Sequence, residues 1–168
     1  MTHLLVALAL ALSQAPRATD DCTFDQVHQS NVVAAIAKMI PGGATDPATR
    51  TITWTRPGEG TTTFGFGGCV DLGSVVTRTT ALPRSRTQAQ ILALARDLSA
   101  RFWRNTEVSG DAAAEALTRA TERAEFVVEQ SGSRTVFNVA DPGYVQLYVE
   151  HEYINGIDRV VIAWQGHF

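Results

Sequence analysis

Lysine is almost absent from this chain: Lys38 stands alone among 14 basic residues, the rest being arginine. A GC-rich genome produces that bias with no physical consequence, and the balance of charge is what matters. Against 17 acidic residues the formal net charge is -3, so the cationic excess that nucleic acid or an anionic membrane would demand is missing. A long apolar run is missing too. The longest, Leu4 to Leu12, is too short to cross a bilayer, and no membrane span is expected in the mature chain. There is no GxGxxG or GxxxxGK[ST] pattern to cradle phosphate, and no HExxH, CxxC or Gx[ST]xG to build a metal site or a nucleophile elbow. No cofactor and no metal are therefore called for. What remains, 168 residues with 45% hydrophobic and 18% charged, suits one folded domain with a single core.

The Leu4 to Leu12 run has the length of the apolar core of a secretory signal, although Met1-Thr2-His3 before it carries no lysine or arginine. Small residues allow a cut after Ser13, releasing Gln14, or after Ala15, releasing Pro16. Proline after a cut is disfavoured, so the first is preferred. Residues 1–15 are read as a signal peptide and 16–168 as a single α+β domain, periplasmic or secreted. In an oxidising compartment the two cysteines, Cys22 and Cys69, read as a disulfide. It would close a loop of 48 residues counting both ends.

A capping box over Thr23 to Gln26 is expected to open a first helix reaching about Ile40, where Pro41-Gly42-Gly43 stops it. Phe24, Val27, Val32, Ile36, Met39 and Ile40 mark its core side, and His28, with no second ligand in helical spacing, reads as a surface residue. Ile52 and Trp54 alternate before Pro57-Gly58-Glu59-Gly60, and Phe64 and Phe66 after it, which predicts a hairpin; a third strand follows over 70–80. Glycines at 65, 67 and 68 suggest a bulge or close backbone approach. A second capping box, Ser85 to Gln88, precedes the cleanest helical period of the chain, Ile91, Leu94, Ala95, Leu98 and Phe102, with Asn105 as its end cap. A third helix over 109–122 carries a small-residue face of Ala113, Ala116, Leu117, Ala120 and Ala124. Two strands, 124–130 and 134–139, flank Ser131-Gly132-Ser133. The expected order is helix, three-strand antiparallel meander, two helices, four-strand antiparallel meander.

The last two strands are the most legible. Asn155-Gly156 between alternating runs is a type I′ hairpin signal and sets the register: Ile154 opposite Ile157, Glu152 opposite Arg159, His151 opposite Val160, Leu147 opposite Trp164. One face then carries Val145, Leu147, Val149, Val160, Ile162 and Trp164, and the other Gln146, Tyr148, Glu150, Glu152 and Arg159.

Candidate chemistry is sparse. Glu150 and Glu152 share a sheet face about 7 Å apart along the strand, a separation compatible with a carboxylate pair in glycoside hydrolysis, yet Arg159 opposite Glu152 favours an ion pair. His151 beside Asp158 could act as a general base, or be no more than a hydrogen-bonded residue at a sheet rim. Arg84 and Arg86 flank a helix N-terminus, where positive charge is unfavourable, and with Arg78 they could accept an acidic partner. Tyr148, Glu150, Glu152 and Arg159 form a mixture of aromatic and charge of the sort interfaces use as anchors, provided the helices cover the other face. No residue motif matches a known family; secreted inhibitors such as the β-lactamase inhibitory protein share the combination of helices and antiparallel sheet in element type alone. The expected function is an exported bacterial module that binds another protein, an inhibitor or toxin-immunity protein. The alternative is a small apolar-ligand carrier, with a cavity among Trp54, Phe64, Phe66, Phe102 and Trp164, or a small hydrolase using His151.

Overall fold

In the computed structural model, which describes residues 22–104, 108–140 and 143–166, three helices and one eight-stranded antiparallel sheet account for the described chain. The expected signal segment and Asn105 lie outside the described residues. Helix α1 (Gln26–Met39) leads into β1 (Ala44–Asp46), β2 (Thr51–Arg56), β3 (Gly60–Gly67) and β4 (Leu72–Ala81). Helices α2 (Gln88–Phe102) and α3 (Val108–Arg123) follow, then β5 (Val127–Ser131), β6 (Arg134–Asn138), β7 (Gln146–Ile154) and β8 (Ile157–Gly166). The first meander thus has four strands rather than three, because the short β1 folds back on β2.

Within the sheet the order is β1-β2-β3-β4-β8-β7-β6-β5. Two four-strand meanders meet edge to edge where β4 pairs with β8 over ten residues, from Leu72 beside Gly166 to Ala81 beside Ile157. The β7–β8 hairpin has the expected register throughout, and its turn residues Asn155 and Gly156 take φ of 52° and 80°. Strands β2 and β3 and the first half of β4 alternate in burial, whereas β1 and β5 are exposed throughout and the middle of β8 is buried on both faces. Ile52, Phe64, Val76, Ile162, Val149 and Phe137 form a single row along one face, all but fully buried, and α1 and α2 pack on that face, with α3 against α2 and β7. Among the described residues, no helix lies on the opposite face.

Cys22 and Cys69 are disulfide-bonded. The bond holds residues 22–24 against the β3–β4 turn, where Thr23 N–H donates to the Cys69 carbonyl at 2.8 Å, so Thr23 cannot cap α1 as expected. Asp25 does so, accepting from Val27 N–H and His28 N–H, and the Gln26 amide donates to the Gly68 carbonyl instead. Gln29, fully buried, bonds both backbone groups of Gly68, with its Nε2 2.8 Å from the carbonyl and its Oε1 3.0 Å from the N–H. That contact sets the rotation of α1: Gln29, Val32, Val33 and Ile36 face inward, while Val27 and Met39, expected in the core, are more than half exposed.

The capping box of α2 is Thr87 with Gln90, two residues later than the expected Ser85 with Gln88. Leu82 N–H bonds the Gly156 carbonyl and Arg86 reaches Asp158, which holds residues 82–86, with a bend at Pro83 and Arg84, outside the helix. Helix α2 ends at Trp103, a core residue the periodicity did not single out. Its Nε1 donates to Ser74 Oγ, and Ser74 Oγ in turn donates to the Gly65 carbonyl, tying the helix end to β3 and β4. In α3 the small-residue face is buried as expected up to Ala120; Ala124 instead leaves the helix at φ 54°, exposed, so β5 begins at Val127. Val145 precedes β7 and is half exposed rather than core.

Candidate functional site

The uncovered face of the sheet is built from three side-chain rows that cross every strand or nearly so. One runs Thr51, Gly65, Val75, Ala163, Tyr148, Asn138; the next Thr53, Thr63, Thr77, Val161, Glu150, Val136; the third Thr55, Thr61, Thr79, Arg159, Glu152, Arg134. The β2–β4 half is therefore neutral and rich in threonine, with hydroxyl pairs such as Thr53 and Thr63 at 3.4 Å. The β6–β8 half carries the charge. Tyr148, Glu150, Glu152 and Arg159 all lie here, on the side away from the helices.

Glu150 is the centre of the charged half. Its two carboxylate oxygens accept from Arg134 at 2.6 Å and from Arg159 at 2.9 Å, although Arg159 stands directly opposite Glu152. The expected Arg159–Glu152 cross-strand pair is thus replaced by a diagonal one. A long guanidinium side chain can reach either carboxylate, and Glu150, flanked by Val136 and Val161, is the one removed from water. Burial pushes the Glu150 pKa up, but Arg134 and then Arg159 outweigh it and hold the carboxyl below the ordinary glutamate range. This is the reverse of what a general acid in glycoside hydrolysis needs. Beside it the half-buried Tyr148 phenol is pushed above its usual range, by burial first and by the Glu150 charge second, against the pull of the two arginines.

Tyr148 also walls a trough. Gly65, Gly67 and Gly73 supply no side chain on β3 and β4, and with Ala163 as floor they leave a hollow of about 670 Å³. A Cβ on Gly73 would come 2.6 Å from the Trp164 carbonyl oxygen, so the bare strand is needed for the β4–β8 pairing itself. Gln146, Gln165, Thr51 and Arg50 complete the walls.

On the helix side, His151 and Asp158 come together as their register implies, with His151 Nε2 2.9 Å from Asp158 Oδ1. Arg86 Nε donates to the other oxygen at 2.8 Å. Asp158 is fully buried and His151 nearly so, and neither lines any of the main clefts of the described residues. Arg86 and Arg84 do not act together: Arg86 turns inward, while Arg84 is exposed. Among the described residues no group of three or more His, Cys, Asp or Glu could hold a metal ion, and no helix is long and apolar enough to cross a membrane. Trp54, Phe64 and Phe102 pack ring to ring, as do Phe66 and Trp164, and none of the main clefts of the described residues is lined by all five, as the carrier alternative would require.

The sequence reading missed Arg134, because its role depends on the β6–β7 pairing, which no turn of two residues announces. It also missed the tertiary contacts of the partly buried Arg78: on β4 its Nη atoms donate to Thr62 Oγ1 at 2.7 Å and to the Glu59 carbonyl at 2.6 Å. Comparison with protein-family models, curated proteins and solved structures finds no match to this chain.

Proposed function

We propose that this is an exported bacterial protein-binding module, an inhibitor or toxin-immunity protein, that engages another protein through the open face of its sheet. One observation carries the reading: all three described helices lie on one side, leaving the other side as a broad surface in which a side-chain-poor trough adjoins Tyr148 and the Arg134–Glu150–Arg159 cluster. Side chains mounted on paired strands lose little freedom on binding, and Tyr and Arg are the residue types that most often dominate interface energies. The trough supplies a depression for a protruding partner side chain. Export rests on the apolar run at Leu4 to Leu12 and on the Cys22–Cys69 bond, which belongs in an oxidising compartment. The hydrolase alternative has less beneath it, since His151 and Asp158 are buried away from the main clefts.

Affinity purification with the mature protein from the envelope and culture fluid of its own organism is the test. One protein partner should be recovered, and lost in both Tyr148→Ala and Arg159→Glu while each variant keeps its melting profile. Recovery of only a lipid or small metabolite would overturn the proposal.

A further inference from the structure

A second cleft, of about 250 Å³, lies on the other side of the sheet, between α2 and the ends of β2, β3 and β4. Its floor is apolar: Trp54 and Phe102, with ring centroids 5.3 Å apart, and Leu94 and Leu98 of α2. Its rim is cationic. Arg56, Arg78, Arg86 and Arg101 come to it from four separate segments, against two carboxylates, Glu59 and Asp97.

The partners of these arginines separate them. Arg56 pairs with Glu59 at 3.5 Å, and Arg86 is spent on Asp158. Arg78, half-buried on β4, has only neutral oxygens, the Thr62 hydroxyl and the Glu59 carbonyl, and Arg101 lies over the Phe102 ring, 5.7 Å from its centroid. Neither has a carboxylate partner among the described residues. The last-turn position of Arg101 accounts for that charge through the helix dipole. Nothing of the kind accounts for Arg78, a partly buried guanidinium whose hydrogen-bond partners are neutral oxygens, so its charge is left free to meet an anion in the cleft.

We propose that this cleft binds a small amphipathic organic anion, with its carboxylate on Arg78 and Arg101 and a flat or short apolar body on Trp54 and Phe102. The acid must carry both parts. Acetate has no surface to bury on the floor, and an uncharged aromatic alcohol leaves the guanidiniums unpaired. The site stands apart from the open face, so the fate of one reading leaves the other intact.

Isothermal titration of the whole mature protein with phenylacetate, acetate and benzyl alcohol tests this. Phenylacetate should saturate, and bind about tenfold more tightly than either of the others, the worth of one charge-assisted hydrogen bond or of a small buried apolar body. Arg78→Gln and Arg101→Gln should each weaken it about tenfold; Arg123→Gln, on the exposed end of α3, should not. Arg101 is exposed, so Arg101→Gln keeps the test valid should Arg78→Gln lose its near-ultraviolet dichroism. Absence of saturation, equal binding of acetate, or an equal loss in Arg123→Gln would each overturn the proposal.

Discussion

On the helix-covered face, the Asp158 side chain has no exposed surface and sits between Arg86 and His151; on the open face, the Glu150 side chain is 11% exposed and sits between Arg134 and Arg159. Each carboxylate thus has two basic neighbours within hydrogen-bond distance. The donors differ. The His151 side chain is 6% exposed and that of Arg86 24%, whereas those of Arg134 and Arg159 are 51% and 42% exposed. Removing Asp158 would strand its donors in the interior; removing Glu150 would return its donors to water. The same chemistry is a fold determinant on one face and a solvent-accessible charge cluster on the other, and burial of the donors, not of the carboxylate, makes the distinction.

Asp158→Ala breaks the comparison on the covered side and should have the larger effect of the two carboxylate changes. Leaving a buried partner uncompensated costs about 3–5 kcal/mol, to be read as a lowered urea midpoint; a loss no larger than that of Glu150→Gln would refute the assignment.

Replacing Cys22 and Cys69 by serine acts on both faces alike, because it acts through the unfolded chain. With 47 residues of separation, the chain-entropy model gives a loss of about 4 kcal/mol. Both carboxylate clusters should survive in the folded double variant, with Arg159 and His151 side-chain resonances unshifted in NMR spectra; displaced resonances would mean the bond shapes the sheet as well as closing the loop.

The smallest effect belongs to Glu150→Gln, about 1 kcal/mol or less, since its arginines are solvated. Its pH dependence is more telling. The folded-state pKa lies below the unfolded one, so the ionised carboxylate stabilises the fold fully above the ordinary glutamate value. That contribution is lost as pH falls through the lowered folded value. The gap in melting temperature between wild type and Glu150→Gln should therefore be widest near neutrality and close in acid. A gap unchanged down to strongly acidic pH would contradict the lowered pKa.

Sequence by itself determined what short-range stereochemistry controls. Asn155-Gly156 demands two positive φ values in succession, and with the alternating runs on either side this set every pair of the β7–β8 hairpin, including the approach of His151 to Asp158. The period of Ile91, Ala95, Leu98 and Phe102 determined the buried side of α2. Two cysteines left one pairing. Tertiary structure alone decided the rest. Alternation distinguishes the two faces of a strand but does not say whether helices also cover the second, so the openness of the Tyr148 face emerged only when α1, α2 and α3 all packed on the Ile162 side. The register put Arg159 opposite Glu152, yet its side chain crosses to Glu150, where Arg134 arrives from β6, a strand whose register against β7 no tight turn sets. The cap of α1 moved to Asp25 because a disulfide partner 47 residues away claimed the backbone before it. In each case a long side chain or a terminal backbone group had several partners within local reach, and the element packed against it, chosen by burial of the core, settled which one it kept.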